Sequence, residues 1–149
     1  GSQGMIGGQT LDLMAEETPV DFQGLVEIHR LKTGALIKAP ILMAAALASA
    51  EPRDIDSLTQ YADAIGLAFQ IRDDILDVTA DQAVLGKTTG KDARDQKTTY
   101  VSLFGLAGAQ TQLEQTIVQA RTAIAALEAA GIDGGFLSGL TDYLTVRQS

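Results

Sequence analysis

The sequence has 149 residues, of which 46% are hydrophobic, and it carries a formal net charge of −8. This length allows one domain with a substantial core and hardly two, while the acidic balance argues against a nucleic-acid partner, which needs a basic surface. Without cysteine, the chain has no disulfides and no thiolate metal ligands, which fits a cytoplasmic protein.

A membrane protein is not indicated either. The longest apolar run, Ala39 to Ala50, is too short to cross a bilayer. The sequence does not open with a basic segment followed by an apolar one, so we do not expect secretion.

The first stretch, Gly1 to Leu13, is helix-like but rich in glycine. Each glycine weakens an isolated helix by up to about 1 kcal/mol relative to alanine, so this segment needs a tightly packed neighbour. We expect it to be the end of a longer helix. The pair Gly1-Ser2 fits either native sequence or a remnant of cloning.

Two helices are predicted next. Asp21 is a good N-cap, and apolar residues at three-residue steps predict a helix from Phe22 to Lys32. Thr33-Gly34 is expected to interrupt this helix, leaving carbonyls without helical partners that can face a cavity. A second helical stretch with a kink at Pro40 is expected to continue through Ala50.

A long central helix follows. Pro52 and Asp54 signal its start, and the helical period continues into the acidic stretch Phe69 to Asp77. The segment from Asp81 to Lys97 breaks the period and is typical of a polar loop.

The remainder is predicted to form three helices, Thr99 to Leu106, Gln110 to Ala130 and Gly135 to Val146. Gly131 suits the residue that follows the C-terminus of the second. No alternating strand pattern occurs in the sequence, so the predicted fold class is all-α.

The acidic stretch carries the strongest chemical signal. At about 100° per residue, Gln70, Asp73, Asp74 and Asp77 fall within an arc of roughly 100° on one helix. The opposite, apolar face contains Ile71, Ile75 and Val78. Clustered carboxylates favour a cation, and Mg²⁺ takes one or two carboxylates and completes its shell with water and phosphate oxygens. The pattern predicts an Mg²⁺ site that also holds a phosphate group, with a solvated acidic face as the alternative.

Two other sites are excluded by spacing. An EF-hand starting at Asp73 lacks the glycine and glutamate that its loop requires. Gly86-Lys87-Thr88 does not belong to a P-loop, because a helix precedes it where a strand is needed. The loop lysines Lys87, Lys91 and Lys97 are either phosphate-binding or solvated charges.

Several motifs together resemble one family. GGQTLDL at residues 7–13, HRLKTGAL at 29–36, GLAFQIRDDILD at 66–77 and LGKTTGKD at 85–92 with Lys97 are similar to the C-terminal half of a trans-prenyl diphosphate synthase. The bacterial farnesyl diphosphate synthases, also called geranyltranstransferases, are the most similar members. The resemblance implies the isoprenoid synthase helical bundle and covers nearly the whole chain, residues 1–149.

The resemblance implies roles at the diphosphate of the allylic substrate. The second aspartate-rich motif, which binds Mg²⁺ that bridges to this diphosphate, corresponds to Asp73, Asp74 and Asp77. Lysines that hold the same diphosphate correspond to Lys32, Lys87 and Lys97. Divalent metal and lysine would stabilise the pyrophosphate as it leaves.

Further roles are implied at the hydrocarbon end of the substrate. Thr33 and Gln70 match positions whose oxygens lie near the allylic carbocation, which the family couples to isopentenyl diphosphate. Gln9 and Asp12 match polar residues of the cavity wall.

The family's first aspartate-rich motif, its neighbouring arginines and its site for isopentenyl diphosphate belong to an N-terminal half that this sequence lacks. We therefore expect the 149-residue chain to be part of an enzyme and to have no synthase activity alone. Exposed apolar faces on Ile65, Phe69 and the helix from Ala39 to Ala50 would favour a homo-oligomer.

Three alternative functions are compatible with the sequence. A longer-chain prenyl synthase or a terpene cyclase would use the same fold, although the lysine-rich loop favours prenyl transfer. A non-catalytic all-α module would use the acidic helix only to bind a metal or a partner protein.

Overall fold

The computed structural model describes residues 1–84 and 98–146, and these residues form helices and no β-strand. The elements are α1 (Met5–Glu17), α2 (Phe22–His29), a π-helical turn (Arg30–Gly34), α3 (Ala35–Leu47), α4 (Pro52–Val84), α5 (Tyr100–Ala129) and α6 (Gly135–Val146). The all-α prediction and the long central helix are therefore confirmed.

The core lies between α4 and α5, the two longest helices. One cluster of buried side chains contains Tyr61, Ala64 and Ile65 of α4 with Ala120, Ala123 and Ile124 of α5. A second cluster contains Ile71 and Ile75 of α4, Tyr100 and Ala109 of α5, and Leu25 of α2. Because later residues of α4 meet earlier residues of α5, the two helices run antiparallel.

The predicted interruption at Thr33-Gly34 is a π turn and not an open break, and α2 ends at His29 rather than Lys32. The backbone stays helical through a single π turn, Arg30–Gly34, in which the Ala35 N–H bonds to the carbonyl of Arg30, five residues earlier. A π turn inserts one extra residue while keeping the backbone bonded. The chain therefore passes from α2 into α3 without a break, and the Arg30 carbonyl is not left for a cavity.

The end of α3 and the break in α5 differ slightly from the prediction. Helix α3 ends at Leu47 rather than Ala50, since Ser49 has a positive φ of 52°. In α5 the expected break between two helices falls at Gly105, whose φ of 70° and ψ of 168° are non-helical. The glycine after α5, Gly131, has a φ of 85° as its predicted position requires.

Apolar side chains are exposed on α1 and α3. Those on α1 include Ile6, Leu13 and Met14, and those on α3 include Leu36, Met43 and Leu47. The expected exposure of α3 is confirmed, but that of Ile65 is wrong because Ile65 is fully buried against α5, and Phe69 is half-buried. None of the helices in the described ranges is both long and apolar enough to cross a membrane.

Candidate active site

An acidic stripe, defined here as Gln70, Asp73 and Asp77, runs along α4. These residues are spaced by three and four, so they share one helix face. Ile71 and Ile75 are buried on the opposite side, as predicted. Asp73 and Asp77 are exposed and Gln70 is half-buried. The stripe therefore presents two carboxylates and one amide to a potential ligand.

The carboxylates of the stripe repel one another. Partial burial raises the pKa of Asp73 above its ordinary value, and the charge of Asp77 raises it further, while Arg72 acts in the opposite direction. A carboxyl whose pKa is raised in this way is less stable as an anion, and a bound cation stabilises its charged form. Oxygen donors of this kind suit Mg²⁺.

Asp74 occupies a different position from the other two aspartates. Its Oδ2 accepts a hydrogen bond from the Tyr100 backbone N–H at 2.8 Å. Tyr100 is the first residue of α5, so Asp74 satisfies an N–H that lacks a partner within its own helix. Within the described part of the chain, no three His or acidic side chains lie together as a ready metal site. The joint role of Asp73, Asp74 and Asp77 as metal ligands stays a prediction.

Replacing Asp74 by alanine is expected to destabilise the chain. The variant leaves the Tyr100 N–H without its acceptor, and losing a capping acceptor costs about 1 kcal/mol in the free energy of unfolding. Asp74→Asn keeps an oxygen acceptor and should retain most of the stability. Urea unfolding in metal-free buffer would compare these variants with Asp77→Ala, whose side chain is exposed on the same helix. Equal stability of the alanine variant and the parent would contradict the capping role.

The π turn lies beside the N-terminal end of the acidic stripe. A Cβ placed on Gly66 of α4 would lie 3.1 Å from Gly34 Cα, so the two backbones are in close contact. Gly66 shares a helix face with Gln70 and Asp73 because it precedes them by four and seven residues. With a rise of 1.5 Å per residue, Asp73 lies roughly 10 Å farther along the axis. The π turn, which also contains Lys32 and Thr33, therefore packs against α4 about two turns before Asp73.

Lys32 is paired with Asp12 across the boundary between α1 and the π turn. The Lys32 Nζ donates to Asp12 Oδ2 at 2.5 Å. The Asp12 side chain is 9% exposed and that of Lys32 is 34% exposed. The structure thus brings together a predicted diphosphate-binding lysine and a predicted residue of the cavity wall.

The remaining predicted residues have varied positions. Thr33 is half-buried within the π turn. Gln9 is exposed on α1, so it does not share the burial of Asp12. Lys87 and Lys97 lie outside the described residues, and their roles stay predictions.

Tyr100 and Arg72 are buried next to Asp74 and Asp73, and neither is among the site residues predicted from the sequence. Tyr100 is buried where α5 begins, and burial together with Asp74 raises its pKa to about 12. The His29 ring stacks on it with a centroid distance of 5.9 Å. Arg72 is also buried and lowers the pKa of Asp73. The helical period places Arg72 near the buried face, a signal that was available in the sequence.

Two curated proteins are similar to this chain over nearly its whole length. The farnesyl diphosphate synthase of Escherichia coli K12 is 44% identical over 148 residues, which are 99% of this chain and 50% of that protein. The farnesyl diphosphate synthase of Bacillus subtilis 168 is 40% identical over 147 residues, 99% of this chain and 49% of that protein. The chain therefore spans about half the length of these relatives.

A solved structure and a family model agree with these relatives. The geranyltransferase of Helicobacter pylori complexed with magnesium and isoprenyl diphosphate matches with a TM-score of 0.72 at 31% identity, covering 97% of this chain and 48% of that one. The family model described as polyprenyl synthetase matches residues 2–131. On this evidence, the chain belongs to the polyprenyl synthetase family and resembles the C-terminal half of its farnesyl diphosphate synthases.

Proposed function

We propose that the chain is part of a prenyltransferase that condenses an allylic diphosphate with isopentenyl diphosphate, as in farnesyl diphosphate synthesis. The observation that carries the proposal is the acidic stripe on α4 beside the π turn that bears Lys32. The contact between this turn and α4 supports a shared site in which carboxylates bind a divalent metal and a lysine binds a phosphate. The names of the relatives from Escherichia coli and Bacillus subtilis favour a farnesyl product over a longer chain.

We assign the metal-binding role first to Asp73 and Asp77. The mutual repulsion of these residues is relieved by a divalent cation, and two carboxylates leave room for phosphate oxygens on Mg²⁺. Asp74 belongs to the same predicted motif, and a carboxylate has two oxygens, so it can keep its bond from the Tyr100 N–H and also contribute to the metal site. Bound Mg²⁺ would supply positive charge that stabilises the leaving pyrophosphate.

Lys32 is proposed to bind the diphosphate of the allylic substrate, with Lys87 and Lys97 in the same predicted role. When the allylic C–O bond breaks, its electron pair leaves with the pyrophosphate, and an ammonium group stabilises that charge as it develops. The carbocation then forms a C–C bond with isopentenyl diphosphate, and a proton is lost.

Oxygen dipoles are proposed to stabilise the carbocation. Thr33 in the π turn and Gln70 on α4 are both half-buried, and we assign their oxygens to a substrate that lies between these two elements. A preplaced dipole needs no reorganisation when positive charge develops. Gln9 and Asp12 are proposed to belong to the cavity wall, with Asp12 buried and Gln9 exposed.

The activity of the whole enzyme is not expected from these 149 residues. The chain spans about half the length of its relatives, and the first aspartate-rich motif is not among its residues. Exposed apolar side chains on α1 and α3 favour self-association of the chain, so a homo-oligomer stays a prediction.

The proposal is tested by titrating the 149-residue chain with MgCl₂ in the presence and absence of inorganic pyrophosphate. We expect appreciable Mg²⁺ binding only with pyrophosphate, because the stripe alone supplies too few ligands. The same sample should form no product from geranyl and isopentenyl diphosphates. Equal Mg²⁺ binding with and without pyrophosphate would instead favour a non-catalytic acidic module, and product formation would contradict the expected inactivity.

A further inference from the structure

One face of α1 contacts both ends of Lys32. A Cβ placed on Gly8 would lie 2.2 Å from the Lys32 backbone N, so the backbone of α1 lies directly against this residue. Four residues later on the same face, Asp12 Oδ2 lies 2.5 Å from the Lys32 Nζ. The backbone and the ammonium group of this lysine are therefore both in contact with α1.

The pair leaves the ammonium group available to a ligand. An ammonium has three N–H donors, and the contact with Asp12 uses one of them. The Lys32 side chain is 34% exposed, whereas that of Asp12 is 9% exposed. The carboxylate is thus the fixed, buried partner, and the lysine still reaches the surface.

We propose that Asp12 is a positioning residue, which holds the Lys32 ammonium in the orientation that receives the substrate diphosphate. This inference rests on the proposed function, because it takes Lys32 as a diphosphate ligand. A lysine has a flexible four-carbon stem, and holding it in one orientation before the ligand arrives reduces the entropy lost on binding. Asp12 acts through Lys32 and does not itself contact the reacting atoms.

The direction in which neutralising Asp12 changes the affinity for pyrophosphate separates positioning from simple charge effects. A carboxylate near a bound pyrophosphate repels it, so neutralising Asp12 should strengthen binding if charge alone matters. If Asp12 positions Lys32, the same neutralisation should weaken binding.

The experiment measures pyrophosphate affinity by calorimetry on the 149-residue chain in excess MgCl₂. We expect D12N to bind about tenfold more weakly than the parent, since an amide oxygen holds the ammonium less firmly than a carboxylate and leaves the lysine stem more freedom. D12E, which restores a carboxylate, should recover part of the affinity. The matched control is D63N, which removes the carboxylate from another pair, Lys38 and Asp63 at 2.8 Å, and should change affinity less than about twofold.

A second comparison separates positioning from a general structural role. In a K32Q background, D12N should cause no further loss of affinity, because Asp12 acts through Lys32. Unchanged or tighter binding by D12N, D12E as weak as D12N, or an equal loss in both backgrounds would each overturn the inference. If the parent chain binds no pyrophosphate, the proposed function fails first and this inference fails with it. If D12N loses its helical circular dichroism, D12E is compared with the parent instead. Partial affinity of D12E then supports the inference, and affinity equal to that of the parent overturns it.

Discussion

Replacing Gly8 by alanine is expected to lower the free energy of unfolding by about 1–3 kcal/mol. The added Cβ would lie 2.2 Å from Lys32 N, 2.6 Å from Lys32 Cα and 2.7 Å from the Leu31 carbonyl carbon. These are backbone atoms, which cannot rotate away as a side chain does, so α1 must move off the π turn. The higher helix propensity of alanine offsets at most about 1 kcal/mol of this loss.

The control for this prediction is Gly139→Ala. Gly139 lies inside α6 with nothing within 4 Å of the added Cβ, so alanine should raise the free energy of unfolding by up to about 1 kcal/mol. Urea denaturation followed by far-UV circular dichroism would measure both variants. If Gly8→Ala is tolerated as well as Gly139→Ala, the close contact between α1 and the π turn is not present in solution.

Replacing Asp73 by asparagine is expected to weaken Mg²⁺ binding and to raise the free energy of unfolding of the metal-free chain. Pyrophosphate-dependent Mg²⁺ affinity should fall by at least about tenfold, since substitutions of residues that merely support a metal ligand already cost this much. Without metal, the variant should gain about 0.2–0.5 kcal/mol, because like charges four residues apart on a helix destabilise it by this amount. Calorimetry and urea unfolding would test the two effects separately.

The pH dependence follows from the raised pKa of Asp73. The folded chain holds the Asp73 proton more tightly than the unfolded chain, so this group favours folding most at a pH below its unfolded pKa of about 4. That contribution is lost as the pH rises through the raised pKa and is absent at neutral pH. The stability gained by Asp73→Asn should therefore be present at pH 7 and shrink at pH 3.

Asp56→Asn is the control for the loss of Mg²⁺ affinity. Asp56 is exposed on the same helix, about five turns before Asp73, and its substitution should change Mg²⁺ affinity less than twofold. A matching loss of Mg²⁺ affinity in this control, or an unchanged affinity in Asp73→Asn, would remove the acidic stripe from the proposed site.

Local signals in the sequence predicted most helices well. The Asp21 cap is present, with its Oδ1 accepting from the Gly24 N–H at 2.8 Å, and α6 has the predicted bounds. These features depend on neighbouring residues alone, so they can be predicted without a tertiary structure. The π turn could not be predicted in this way, because Gly34 has a helical backbone and its contact with Gly66 lies 32 positions away along the chain.

The candidate site divides in the same way into relations within one helix, which the sequence predicted, and contacts between helices, which it did not. The helical period placed Asp73 and Asp77 on one face, because that relation lies within a single helix. The contact of Asp74 with the Tyr100 N–H spans 26 positions and that of Lys32 with Asp12 spans 20. Such pairs depend on how the helices pack, so the sequence alone could not show that Asp74 also ties α4 to α5 or that Asp12 pairs with Lys32.

The non-helical conformation of Gly105 lets both parts of α5 pack against α4. Tyr100 before the glycine and Ala109 after it belong to the same buried cluster as Ile71 and Ile75. The Tyr100 N–H, which donates to Asp74, lies on the N-terminal side of this kink. Since a φ of 70° suits glycine and few other residues, the place of the α5 N-terminus against Asp74 depends on this one position.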